Sequence, residues 1–465
     1  FGAPVRGPVA GAPLINAARG LVQRLSVLQG AGLRRRTAYT VLHTYAQGCC
    51  NHLLRANLEE GRWLDDLEEA LQQGLAQVAG SSLDEGQRAL ASLRLSDGGL
   101  AFGDIRSKSE AAFLGSWGRV LQEEAAGLGV GTLEGFSSRF PTLWADMGRA
   151  EGALRIRGGN GGRALDWVQM FDQSVPKLQG AWAKEISESR RESILGGLGE
   201  EDAADVRSHG GPGAGSFLCP PCTGGRGMPE DHFTISLRDR LLLPVCQVGA
   251  RCQHRRPNGS VCNAPLDARG RHAKKCAIGG GWVRRHNGLR DFAAESWAAC
   301  SGAPTVKEQR VPAWDRERED DQGRTVTELA VLDVASSDPA SGCPLYLDVT
   351  VTTACPSGND LAALRRRARG DGRGASDAVA DKRRRYNLAG SSLIPLAFED
   401  GGRPAEETVA FVRRCGAAAE RTGCSLFGAG DGGAQDQPVV ARLWQEYSTL
   451  LQLGNAELIL NANGR

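Results

Sequence analysis

No apolar run in the 465 residues approaches the roughly 20 needed for a membrane-crossing helix, so no membrane partner is expected. Net charge is nearly absent too: 56 basic and 54 acidic residues leave +2, which looks like no preference for a polyanion. The thirteen cysteines are odd in number and scattered along a long chain, which argues against a secreted disulfide framework. An intracellular, reduced protein with one metal site fits them better. An initiating methionine is missing as well; a chain that opens with Phe1 reads as part of something longer. Residues 1–200 contain no cluster with the spacing of a catalytic site.

What is present is uneven. From Arg251 to Arg290 there are ten basic residues against one acid, Asp267, and from Asp360 to Tyr386 nine against four. Such blocks suit a polyanionic partner, although a solvated surface accounts for any single run. The centre of the chain is a pair of short runs, Thr327–Ala335 and Leu345–Thr353, rich in Val, Leu and Thr and separated by turn residues Ser336–Pro344. Both read as buried strands. Each carries one Asp, Asp333 and Asp348, and a carboxylate inside an apolar strand is costly without compensation. A divalent cation between the two would supply it, since hard cations prefer carboxylate oxygens. Pairing with arginines at strand ends is the alternative.

Apolar periodicity predicts helices through most of residues 1–200, with Tyr39, Val41, Leu42, Tyr45, Leu53 and Leu54 as core candidates and a glycine turn at Leu93–Gly103. Residues 201–245 read as a flexible linker and a short helix, including Cys219-Pro-Pro-Cys222, which could be half a metal site or a redox pair. The cluster Cys252-x9-Cys262-x9-His272-x3-Cys276 offers four ligands for zinc, with a turn at Pro257-Asn258-Gly259. Cys246 and His254 compete for a ligand position. Its basic surroundings, Lys274, Lys275, Arg284, Arg285 and His286, predict a nucleic-acid contact. Val306–Pro312 reads as a strand that brings Glu308 near the acidic pair. Lys382 and Tyr386 share a helix face, beside Arg383 and Arg384. With Ser392–Phe398 as a strand and Ala405–Ala419 as a covering helix, residues 282–425 form an α/β unit. Residues 426–465 are left as a C-terminal helix and tail.

This arrangement resembles the C-terminal part of a non-LTR retrotransposon polyprotein whose reverse transcriptase is followed by a restriction-like endonuclease. Phe1-Gly-Ala-Pro-Val5 looks like the last strand of the polymerase core. The helices beyond it, with His52-Leu-Leu-Arg-Ala-Asn57, look like its thumb and linker. The Cys-Cys-His-Cys knuckle (246–281) followed by Arg285-His286 carries the resemblance most specifically. Leu332-Asp333-Val334 and Leu347-Asp348-Val-Thr-Val351 look like the metal-binding strands of a PD-(D/E)XK nuclease core. Thr350 stands where that core usually has lysine, and the resemblance moves the lysine to Lys382 on the next helix, with Tyr386 its neighbour. The polymerase's paired aspartates are not present, so the chain is not expected to synthesise DNA.

The resemblance implies a multidomain protein: an all-α thumb and linker, a small zinc knuckle and an α/β restriction-endonuclease-like domain. It implies Mg2+ or Mn2+ at Asp333 and Asp348, with Glu308 a further ligand, and structural Zn2+ in the knuckle. The expected task is nuclear nicking of target DNA to prime reverse transcription of the element's RNA, together with the upstream polymerase core. An inactive nucleic-acid-binding fragment of such a polyprotein is the second reading. A helical structural protein with a metal-stabilised tail is the third.

Overall fold

The computed structural model describes residues 11–56, 58, 62–124, 132–158, 178–220, 226–319, 322–356, 360–386, 392–424 and 438–464. The chain divides into two compact units, Phe1–Gly197 and Leu198–Arg465. It is mostly helical, with a small mixed sheet in the second unit.

The first unit is helical, as its periodicity predicts: α1 (Gly11–Gly30), α2 (Arg35–Val41), α3 (Asn51–Ala56), α4 (Trp63–Ala79), α5 (Glu85–Ser92), α6 (Ile105–Glu124), α7 (Leu133–Arg139), α8 (Pro141–Gly158) and α9 (Leu178–Gly197). The Asp84 and Gln87 side chains close a reciprocal cap at the start of α5. Before α6 the glycine turn is real: a Cβ on Gly99 would lie 2.3 Å from the Leu93 carbonyl oxygen, and Gly103 has φ +85°. The Glu68 carboxylate then accepts from the N–H groups of Asp104 and Ile105 at 2.8 and 2.7 Å, which fixes the entry of α6. Phe113, Phe136, Met147, Leu154 and Trp182 fill one core. Tyr45 is a correction. It lies in a π-helical turn, Leu42–Ala46, that rotates its ring outward to 68% exposure. The polymerase-like strand expected at Phe1–Val5 falls outside the described residues, as do residues 164–177.

The second unit begins where a linker was expected. Residues 200–208 instead form α10 (Glu200–Ser208), whose Ala203, Ala204, Asp205 and Val206 are buried. Its acid-rich sequence hides this, because several of those acids are paired inside the fold. A short helix, α11 (Glu230–Arg240), leads to the cysteine-rich segment and then α12 (Arg271–Lys275) and α13 (Gly281–Ser301). The sheet follows: β1 (Val306–Arg310), β4 (Val331–Ser337), β5 (Pro344–Thr352) and β6 (Leu393–Glu399), in that spatial order. β1, β4 and β5 are antiparallel neighbours, whereas β6 runs parallel to β5. A parallel return needs a crossover, supplied by α14 (Leu361–Arg369) and α15 (Arg373–Arg385). A separate hairpin of β2 (Arg316–Glu319) and β3 (Thr325–Glu328) lies between β1 and β4 in sequence.

One sheet face packs under α13, α16 (Glu406–Thr422) and α17 (Val439–Ala462) through Phe292, Trp297, Val334, Leu347, Phe398, Phe411 and Tyr447. The helix expected near the C-terminus is present and is part of the core. Leu443, Tyr447 and Leu451 of α17 belong to this core, and Ala456, Ile459 and Ala462 continue into the core beneath the cysteine cluster.

Candidate functional site

Two sites are built into the second unit. The first is the cysteine cluster. Backbone bridges Arg251↔Pro265 and Arg255↔Val261 pair the two arms of a loop, and its tip turns at Gly259 (φ +82°), as the Pro-Asn-Gly sequence predicts. The Asp267 carboxylate accepts from the N–H groups of Arg269, Arg271 and His272, capping the short α12 that carries His272. The ligand atoms of Cys252, Cys262, His272 and Cys276 all lie within 4.8 Å of one another. Sγ separations are 3.9 Å (Cys252–Cys276) and 3.7 Å (Cys262–Cys276), and His272 Nε2 is 3.5 Å from Cys262 Sγ. A tetrahedral Zn–S bond of about 2.3 Å gives an S–S edge of about 3.8 Å. The four residues thus form a cluster that could bind a metal such as zinc. The two competing ligands fall outside it: Cys246 takes a hydrogen bond from Asn463 Nδ2, and His254 Nε2 donates to the Leu458 carbonyl at 2.9 Å. Cys222 lies outside the described residues.

The second site is the acidic pair. Asp333 on β4 and Asp348 on β5 occupy adjacent antiparallel strands, and each carboxyl acts on the other's ionisation. Asp333 Oδ2 accepts from the Val349 N–H at 2.6 Å and from His286 Nε2 at 3.1 Å. The same Nε2 is 3.1 Å from the Val349 carbonyl. Both acceptors require that nitrogen to carry the proton. Lys382 Nζ on α15 lies 2.9 Å from each oxygen of Asp348, but only Oδ1 receives a well-directed hydrogen bond. Oδ2 is buried without one, leaving an acceptor for a further positive group.

Burial pushes Asp348 up to about 6; Lys382 pulls it down and Asp333 adds to the rise. Burial acts on Asp333 as well, yet the hydrogen bond and charge of His286 outweigh it and hold the carboxyl below its usual range. His286 responds in the opposite sense: burial depresses it, but Asp333 raises it overall. Two carboxylates thus share one pocket with one readily ionised and the other held back, as like charges at close quarters require.

Other expected site residues are placed differently. In the β1–β4 register, Lys307 pairs with Val334 and Gln309 with Leu332, so Glu308 stands level with Asp333. That pairing is skipped because Glu308 is in the left-handed region (φ +55°). Its carboxylate, 66% exposed, pairs with Arg290 rather than turning to the acidic pair. Tyr386 is buried in an apolar cluster with Leu332, Leu393 and Trp314, and its hydroxyl lies 3.5 Å from the Val331 carbonyl. Among the described residues its hydroxyl makes no hydrogen bond to Asp333, Asp348 or Lys382.

The basic residues also divide. Lys274 is only 1% exposed, its Nζ 3.2 Å from both Asp239 oxygens and 3.6 Å from Asp400 Oδ2. Arg285 is buried against Asn455 Oδ1 at 2.7 Å. Neither reaches a nucleic acid; their contiguity with exposed basic residues conceals that they face inward. Lys275 donates to the Pro356 carbonyl, and Arg284 pairs with Glu457. Arg383 and Arg384 are exposed and paired with Glu407 and Asp381. His286 faces Asp333 instead of a phosphate. Nothing in the sequence could announce that contact, because 47 residues separate the two.

No protein-family model matches the chain, and no curated protein is significantly similar to it.

Proposed function

We propose that the second unit is a metal-dependent nuclease of the restriction-like PD-(D/E)XK type, acting on DNA, and that the chain derives from a non-LTR retrotransposon polyprotein. One observation carries this reading. Asp333 and Asp348 meet on adjacent strands, and a lysine from the following helix reaches Asp348 at 2.9 Å, which is the relation the sequence resemblance implies. The buried, unsaturated Oδ2 of Asp348 fits a hard cation such as Mg2+ or Mn2+. Such a cation supplies charge neutralisation at a phosphate and a more acidic attacking water.

The chain's own residues set the rest. His286 and the Val349 N–H hold Asp333 Oδ2, so its other oxygen is oriented without a search over rotamers. Lys382 partly offsets the burial that raises Asp348 and stands beside the place where a phosphate oxygen gains charge. The metal-binding knuckle gives the unit a second, structural metal. Target DNA and the element's RNA are the partners in this reading, with nicking of chromosomal DNA priming synthesis by the polymerase core of the polyprotein.

The test is nicking of supercoiled plasmid in Mg2+ or Mn2+ by the parent protein and by Asp348→Ala. The expected result is nicking by the parent that falls at least about 100-fold in the variant and stops with chelator. Equal nicking by both proteins, or none by the parent under any divalent cation, refutes the proposal.

A further inference from the structure

α15 carries Lys382 to the acidic pair, yet its own grip on the sheet is thin. The buried contact between this helix and β6 consists of Ala375, Val379 and Ala397, with Ala405 beside them and Ala378 at its edge. Short methyl side chains form shallow ridges, which resist sliding along the helix axis only weakly. The start of the helix lacks a local cap too: Gly372 (φ +66°) has no side chain to offer, and no acid lies in the first turn. The N–H groups of a helix start then need acceptors from elsewhere.

Glu399 supplies one from the end of β6. It is 4% exposed, and its Oε1 accepts from the N–H groups of Gly374 at 2.8 Å and Ala375 at 3.3 Å. Its backbone is fixed by the tight turn that follows: its N–H donates to the Arg403 carbonyl at 2.8 Å, and its carbonyl accepts from Gly402 at 2.9 Å. Burial pushes the carboxyl up to about 7 while Arg403 pulls it down, and an oxygen can accept these bonds in either form. The nuclease reading gives this acid no role.

Strand register sets the spacing. Asp348 lies level with Pro395 and Thr352 with Glu399, so the two acids that touch α15 stand four residues apart along parallel strands. Four strand residues span about 13 Å. Gly374 and Lys382 are eight residues apart, about 12 Å of helix. One carboxyl thus holds the first turn of α15 and the other meets its lysine, across matched lengths of sheet and helix. We propose that Glu399 is a positioning residue for Lys382, setting through the start of α15 where the ammonium meets Asp348. The proposal rests on the nuclease reading for what Lys382 does there, and not for the contact itself.

The test is acylation of the full chain by an N-hydroxysuccinimide ester, with each lysine's rate read by mass spectrometry well below the melting temperature. In Glu399→Leu the expected result is Lys382 labelled about 5–10-fold faster, the effect of a lost cap. Lys274, held by Asp400 next in sequence, reports loosening of the whole corner and should stay within about 2-fold of the parent. Glu399→Gln keeps an oxygen for the two N–H groups and should restore the parental Lys382 rate. Equal acceleration of both lysines, or a parental Lys382 rate in folded Glu399→Leu, overturns the proposal. Should Glu399→Leu not fold, Gly374→Ala decides: its Cβ would lie 3.0 Å from Glu399 Oε1 and 3.3 Å from Thr352 Cγ2, so the helix start must move. It should speed Lys382 labelling about 2–3-fold, and a parental rate overturns the proposal. Plasmid nicking separates the two readings. Loss of kcat in Glu399→Leu by the same factor, with KM unchanged, supports both. Labelling that responds while the parent nicks nothing removes the nuclease and leaves the positioning. Nicking with labelling and kcat indifferent to Glu399→Leu and Gly374→Ala does the reverse.

Discussion

Lys274→Met is expected to destabilise the second unit by about 3–5 kcal/mol, because it removes one cation from between two buried carboxylates. Lys274 Nζ is 3.2 Å from Asp239 and 3.6 Å from Asp400. At an effective dielectric of about 20 each pairing is worth about 5 kcal/mol, most of it offset by the desolvation of the charges. Deleting the lysine leaves that desolvation without its compensation. Burial tends to raise Asp239, but Lys274 and His209 overcome it and hold the carboxyl far below its usual range. Nearby Asp205, with burial dominant, is pushed up to about 6. The sign of the pH effect follows. In the parent, the depressed Asp239 contributes stability above its unfolded value near 3.8, lost only as pH falls through its folded value. In the variant the carboxylates titrate upward, so the deficit is largest near pH 8 and shrinks toward pH 5.5 as they take up protons. Urea denaturation at both pH values, parent against variant, measures it. A loss below about 1 kcal/mol, or a deficit independent of pH, refutes the argument. DNA binding by the folded variant should keep the parental salt slope, since a buried lysine releases no counterion.

Two further outcomes follow from the same geometry. Cys276→Ser should abolish stoichiometric zinc binding and lower the melting temperature by several degrees, checked by metal analysis and calorimetry; full retention of zinc would contradict the ligand set. Tyr386→Phe should leave plasmid nicking within about 3-fold of the parent, because the hydroxyl's one close contact is a backbone carbonyl at 3.5 Å; a loss of about 100-fold would make the tyrosine a reactant after all.

The legible parts of the sequence were those where local pattern and burial agree. Asp333 and Asp348 stood out because apolar strands seldom carry a lone acid, and the four residues of the Cys/His cluster stood out by residue type alone. Helices such as α4 announced themselves by one apolar face. Several of the failures share one cause, polar residues turned inward; Tyr45 and Glu308, which turn outward, do not. α10 passed for linker because Asp202 and Asp205 are acids, yet Arg271 of α12 pairs with both. α17 was legible as a helix, but buried Arg442, Gln445, Gln452 and Asn455 interrupt its apolar pattern and hide how deeply it is built into the fold. Lys274 and Arg285 look like surface charge in a basic run, and only their partners, 35 and 170 residues away, reveal otherwise.

The course of α17 has a consequence for when the second unit can finish folding. This one helix completes the core under the sheet at Leu443, Tyr447 and Leu451, and the core under the cysteine cluster at Ala456, Ile459 and Ala462. Its partners in β4 and β5 leave the ribosome roughly a hundred residues earlier, and those in α13 earlier still. At roughly 5–20 residues per second they wait several seconds or more with their apolar faces uncovered. Neither the acidic pair nor the metal ligands have a finished scaffold during that interval. Both cores therefore stay incomplete until α17 has been synthesised.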